Sequence, residues 1–307
     1  MPVNFTLRLL SAARHAYAIM DEGPVPPKGS GPNETGTAPP ASDCVGYVTA
    51  PYGYLVGQNN EDAGFAATIP EGIVVSIRGT TPPSRLLNDP GQVIVDWARD
   101  AALVLQVAAG QPPGFPGQVH SGFYSSFMRL WDKLGPKVAE LVAANPGLPL
   151  YVIGHSKGGA VAPLVAWRLH IDFPNLPIIV RTFAPARVGD QTFAAHYNAA
   201  IPDHIRYEFD DDLVPHLPLD PGLITIPFLP KLAQLKVNAI PFNYGEVGVL
   251  AYIQANGSIV PNSAALSQQR VINICGKLAT FQLGYIVDCH GTDDPARGYA
   301  GAHYPPP

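Results

Sequence analysis

Apolar residues follow two rhythms along this chain. Leu9, Ala13, Tyr17 and Met20 recur at helical spacing behind Thr6, which can cap them, so the spacing predicts a first helix with one buried face. Phe127, Leu130, Leu134, Val138 and Leu141 repeat that spacing in a longer helix reaching Asn145, where Pro136 is placed to kink it. The second rhythm is a short unbroken apolar run. Gly72 to Arg78 (GIVVSIR) and Ile178 to Phe183 (IIVRTF) read as strands covered on both faces, and Ile205 to Phe209 is a further strand. Tyr52 to Gln58 and Phe65 to Ile69 flank the turn-rich NNEDAG and predict an edge hairpin, and Asn256-Gly257 predicts a second hairpin within Gly248 to Val260. Strand, helix, strand, helix, strand is the pattern of a mostly parallel central sheet with helices on both faces. Nothing midway resembles a linker, so one α/β domain over 1–307 is expected.

Three stretches depart from both rhythms. Residues 23–41 are too rich in Pro and Gly for a helix or central strand and read as a surface loop. Residues 81–96 mix Pro82, Pro83 and Pro90 with apolar positions. Residues 217–242 are apolar but broken by prolines, so they can neither form one regular element nor stay fully exposed. Near the C-terminus, Leu278 to Val287 is a strand-like apolar run followed by the turn residues after His290.

Composition narrows the class. A chain that is 47% hydrophobic and 14% charged is ordered and globular, and a net charge of −5 offers no electrostatic footprint for nucleic acid. No apolar run approaches the roughly 20 residues of a membrane-spanning helix, so a soluble protein without a membrane span is expected. The first twenty residues lack a signal peptide's continuous apolar segment, because Arg8, Arg14 and His15 interrupt them; the compartment, secreted or cytoplasmic, stays open. Three cysteines permit a Cys275–Cys289 bridge or buried free thiols.

The chemistry concentrates at Leu150 to Gly159, LYVIGHSKGG, where an apolar strand breaks into Gly154-His155-Ser156-Lys157-Gly158 and continues as a small-residue helix. A serine on so sharp a strand-to-helix turn needs glycine two places either side of it, where a Cβ would strike neighbouring backbone. The turn presents Ser156 Oγ and leaves the Lys157 N–H at a helix N-terminus, aimed at developing negative charge. Thr80, Ser156 and Asp212 all fall at carboxyl ends of strands, the edge where open α/β sheets bind ligands. A serine nucleophile needs a base and a carboxylate to orient that base, in the order Ser, Asp, His for such an elbow. Asp212 closes the Asp210-Asp211-Asp212 run and is the expected carboxylate. Of the nine histidines, His216, His290 and His303 follow it. His216 is too close in sequence to fold back, so His290 is the expected base, with His303 the alternative. His155 is expected to point away from the site and pack or cap, and His120, His170 and His196 to be surface or satisfied core residues.

Seven blocks, in order, resemble the class 3 (fungal-type) lipase family of the α/β-hydrolase superfamily: SIRGT, DWARDA, VHSGF, IGHSKGGAVA, TFAPARVGD, DDLVPHLP and NYGEVG. The resemblance implies hydrolysis of carboxylic esters of lipids, as a triacylglycerol lipase or esterase, by Ser156, Asp212 and His290. It implies an oxyanion hole of the Thr80 and Lys157 backbone N–H groups and a lid at 81–96. The apolar stretch 217–242 is read either as a second wall of the acyl site or as a plain loop packed on the core. The resemblance calls for no cofactor or metal, only a lipid or small ester at a lipid–water interface. The family's His-then-Tyr spacing fits His290 with Tyr299 and His303 with Tyr304 equally loosely. The alternatives are an esterase for polar esters, such as a feruloyl esterase or phospholipase, and a hydrolase fold kept as a non-catalytic lipid-binding module.

Overall fold

The computed structural model describes residues 4–25, 45–57, 60–81, 114–218, 244–292, 294 and 296–305. Helix α1, Phe5–His15, is capped by Asn4 instead of Thr6: the Asn4 side chain accepts from the Thr6 N–H at 2.9 Å. Thr6 therefore lies inside the first turn. The helix tightens into a 3-10 turn at Ala16–Ala18, which takes Met20 off the buried face and leaves it 51% exposed.

Strands β1 (Gly23–Pro24), β2 (Tyr52–Val56), β3 (Asp62–Ile69) and β4 (Gly72–Ile77) are followed by α2 (Ser121–Ala144). Pro136 lies inside α2, and its predicted inward stripe is buried from Phe127 to Leu141. Next come β5 (Leu150–His155), α3 (Lys157–Asp172), β6 (Ile178–Phe183), α4 (Gln191–Ala200) and β7 (His204–Phe209). Strands β8 (Val249–Ile253) and β9 (Ile259–Pro261) form the hairpin around Asn256-Gly257, and α5 (Ala264–Ala279) and α6 (Leu283–Cys289) complete the described elements. The Leu278 to Val287 run thus falls at the end of α5 and in α6, with a turn at residues 280–282 between them. Its buried residues, Leu278 and Ile286, pack with Ile274, Leu213 and Leu217 in a small cluster, which a helix satisfies and a lone strand could not.

The nine strands form one mixed sheet whose spatial order follows the chain. Pairing is antiparallel from β1 to β4, parallel from β4 to β8, and antiparallel again at β9. The parallel centre is the part the apolar runs encode. Alternate residues of β4 face opposite layers: Ile73, Val75 and Ile77 pack with residues of α2 and α3, while Val74 packs with α1 and the C-terminal Tyr299 and Tyr304. Residues 82–96 of the expected lid, 219–242 of the apolar insertion, 26–41 of the Pro/Gly-rich loop, the DWARDA block and Cys44 lie outside the described residues. Cys275 and Cys289 are both free, Cys289 buried and Cys275 partly so.

Candidate active site

Ser156 sits between β5 and α3 at φ +58°, a region that residues with a Cβ seldom enter. The flanking glycines make that turn fit. A Cβ on Gly154 would fall on the Gly158 carbonyl, and one on Gly158 would strike the Ile77 carbonyl oxygen and the Arg78 backbone. The Ser156 N–H donates to the Phe183 carbonyl at 3.0 Å, which fastens the turn to β6.

Strand β4 runs beside the elbow in parallel register. Ile77 pairs with Gly154, so Thr80 and Lys157 each lie three residues beyond a matched pair. Gly79 is close enough to the serine that a Cβ there would meet Ser156 Cβ at 3.1 Å. The Lys157 side chain reaches away from the serine, its Nζ donating to the Glu61 carbonyl at 2.8 Å and to Asp62 Oδ1 at 3.0 Å. Asp62 also accepts from Arg129 Nε at 2.9 Å. Burial alone would raise the Asp62 carboxyl, but Lys157, Ser126 and Arg129 outweigh it and hold that group below the usual carboxylate range. The first turn of α3 is thereby tied by its own side chain to the start of β3.

Beyond β7 the three aspartates are each held by a different partner. Asp210 takes the positive φ, at +40°, and accepts from Tyr285, while Asp211 is buried and paired with Lys277. Asp212 is fully buried. Its carboxylate accepts from the Val214 N–H at 3.0 Å, from the Tyr299 hydroxyl at 2.7 Å, and from His290 Nδ1 at 3.0 and 3.1 Å. A carboxylate accepts only, so Nδ1 of His290 carries the proton in this pair and Nε2 is left as the basic nitrogen. His290 caps the C-terminus of α6 and is buried. The alternative base, His303, is exposed and binds the Gly257 carbonyl through its own backbone N–H at 2.8 Å.

Two further residues complete the cluster. Tyr299 stands between Asp212 and β7: its hydroxyl donates to the carboxylate and accepts from the Phe209 N–H at 3.0 Å. Burial, reinforced by Asp212, keeps that hydroxyl protonated well above its ordinary range. The spacing signal that pairs a histidine with a following tyrosine was visible in sequence, without the partner it serves. His155 does pack, yet not away from the site. Its ring lies 4.6 Å from the ring of His290, with Nε2 3.0 Å from the His290 carbonyl oxygen and Nδ1 2.9 Å from the Tyr17 hydroxyl. Sequence order alone could not anticipate contacts reaching 135 and 138 residues along the chain. His120 is a satisfied core residue capping α2, whereas His196 is exposed.

The strained Ser156 turn, the end of β4 at Gly79 and the carboxylate-held His290, which touches His155, thus gather at the carboxyl edge of the sheet. A family model described as Lipase (class 3) matches residues 74–221, which hold Thr80, Ser156, Lys157 and Asp212. Over these residues the chain is similar to the class 3 lipase family. It resembles a secreted mono- and diacylglycerol lipase 2 of Gibberella zeae, 29% identical over 186 residues that cover 59% of this chain and 43% of the relative. It also resembles the secreted mono- and diacylglycerol lipase A of Penicillium cyclopium, 34% identical over 125 residues, which are 40% of this chain and 39% of the relative. The matched segments span less than half the length of either relative. Among solved structures, an MDLA variant from Penicillium cyclopium has a TM-score of 0.56 at 22% identity, covering 85% of this chain and 80% of that one. A Rhizomucor miehei triacylglyceride lipase has a TM-score of 0.54 at 20% identity, covering 80% and 77%. The shared architecture is the α/β-hydrolase fold.

Proposed function

We propose that this chain hydrolyses carboxylic esters of lipids through an acyl-enzyme formed on Ser156, with His290 as general base and Asp212 as its orienting carboxylate. The observation that carries the reading is the buried His290–Asp212 pair, held beside the strained Ser156 elbow by contact between His290 and His155. Ser156 Oγ attacks the ester carbonyl while His290 Nε2 takes its proton. The imidazolium that forms is stabilised by Asp212 and then protonates the departing alcohol. Water, deprotonated by the same nitrogen, attacks the acyl-enzyme and releases the fatty acid. Both tetrahedral intermediates place an oxyanion at the β4 and α3 ends, where the Thr80 and Lys157 backbone N–H groups donate. Each such donor is worth on the order of 3 kcal/mol.

The substrate reading is acylglycerol. The family match supports it, as do the relatives named as mono- and diacylglycerol lipases. Acylglycerols gather at lipid–water interfaces, so that is where we place the substrate; no helix among the described residues is long and apolar enough to cross a membrane. Turnover of p-nitrophenyl esters and of glycerides from two to eighteen carbons, in solution and as emulsions, tests this with Ser156→Ala as control. Long-chain glycerides with a rate gain at the emulsion surface are expected. Preference for short soluble esters with no interfacial gain would remove the lipid assignment while leaving the esterase chemistry.

A further inference from the structure

The base is held by its Asp212 pair, but the element that carries it is only seven residues long, and His290 sits at its very end. What ties this end to the elbow is the residue before the nucleophile. The His290 carbonyl oxygen can only accept, so the 3.0 Å contact with His155 Nε2 requires that nitrogen to carry hydrogen. In a neutral imidazole the other nitrogen is then the acceptor, and the Tyr17 hydroxyl, 2.9 Å from Nδ1, is the donor. We propose that Tyr17 and His155 form a positioning pair for the base: Tyr17 selects the His155 tautomer whose Nε2–H grips the His290 backbone and holds the catalytic ring opposite Ser156. The inference rests on His290 being the base.

Three observations support the pair beyond the two hydrogen bonds. The rings of His155 and His290 lie 4.6 Å apart at 35°, so His155 also forms one wall of the slot in which His290 sits. The Tyr17 ring approaches His155 at 6.0 Å between centroids, and its hydroxyl lies so close to Gly79 that any Cβ there would collide with it. That hydroxyl therefore occupies the junction of the strand end, the elbow and the base. Finally, burial, with His290 as a like-charged neighbour, holds His155 well below the ordinary imidazole range. An uncharged His155 does not oppose the imidazolium that His290 becomes during turnover, whereas a charged one 4.6 Å away would.

The pair also has a structural consequence. Tyr17 lies in the turn after α1 and His290 at the end of α6, both outside the residues 74–221 that match the family. The segments before and after the matched region complete the site together, through one imidazole that belongs to the elbow.

The test is a kcat and KM series on p-nitrophenyl butyrate, with thermal midpoints measured on the same preparations. Tyr17→Phe keeps the ring and removes the donor; kcat is expected to fall about three- to tenfold, the worth of one hydrogen bond, with KM within about twofold. His155→Phe removes the grip on the His290 carbonyl; kcat is expected to fall by about tenfold or more, as for a misplaced base. His155→Gln, whose amide reaches the position of Nε2, is expected to recover part of that loss. Wild-type kcat in Tyr17→Phe overturns the proposal even where His155→Phe fails to fold. So does a kcat loss that merely follows the fraction unfolded, or His155→Gln behaving no better than His155→Phe. Ser156→Ala and His290→Ala run alongside. If those two retain turnover, the base assignment itself fails; if they abolish it while the Tyr17 and His155 variants match wild type, only the positioning pair fails.

Discussion

At the scale of single residues, the site depends on how a buried carboxylate is satisfied. Asp212 has no exposure, and an isolated ion there would be expensive to keep charged. It stays useful because Val214, Tyr299 and His290 all donate to it. Tyr299 serves two groups at once, since its hydroxyl also accepts from the Phe209 N–H. Tyr299→Phe therefore leaves a backbone donor and a carboxylate lone pair short of partners inside the core. The expected result is a loss of about 1–3 kcal/mol in urea-induced unfolding, together with a fall in kcat. A variant as stable and as active as wild type would show that the hydroxyl is dispensable. Ser156 illustrates the complementary case, a residue kept in a costly backbone conformation by its surroundings.

At the scale of elements, the elbow and the C-terminal helices do the placing. The elbow works because β4, β5 and α3 approach within backbone contact at Gly158, where a Cβ would lie 2.8 Å from the Arg78 carbonyl carbon. Gly158→Ala is expected to shift the oxyanion edge or block folding, so circular dichroism melting and esterase activity should fall together. A stable, fully active variant would contradict the close approach. The C-terminal segment reads β7 and its turn almost carboxylate by carboxylate: Glu208 meets Arg270, Asp211 meets Lys277, Asp210 meets Tyr285, and Asp212 meets His290 and Tyr299. These long-range pairings explain what was legible in the sequence and what was not. The elbow could be read because its glycine requirement is local, and the inner strands because burial on both faces writes continuous apolar runs. The helix bearing His290 could not, because an apolar run as short as Leu278 to Val287 suits a strand or a buried helix equally until its partners are known. Chain order narrows the candidates to three histidines, and the structure pairs His290 among them with Asp212. The contacts of Tyr17, His155 and Tyr299 were not legible, since each depends on a partner 87 or more residues away.

At the scale of the whole molecule, the buried histidines set the response to acid. His155 is held neutral by burial and by His290, and His204 by burial, Arg206 and Arg181. His216 is pushed down to about 3 by burial and Arg270. Each binds a proton more readily in the unfolded chain, at the ordinary value of 6.5, than in the native protein. Stability is therefore complete above that value and lost as pH falls below it, at up to about 1.4 kcal/mol per pH unit for each proton. Glu208 has the same sign in a lower window. Although buried, it is held at about 2 by Arg270 and Arg206 against an ordinary 4.5, so its contribution disappears between those values. Urea unfolding at a series of pH values is expected to show stability declining from about pH 6.5 downward and more steeply below about 4.5; a maximum near pH 5 would contradict this. Activation of Ser156 by His290 is read most directly by covalent labelling. Incubated with a p-nitrophenyl alkylphosphonate, the wild-type chain should release one equivalent of nitrophenol and carry one adduct on the Ser156 peptide by mass spectrometry. His303→Ala should label at the wild-type rate and His290→Ala slower by about 10³. A folded wild-type chain with no adduct on Ser156, or one in which His303→Ala alone abolishes labelling, would contradict it.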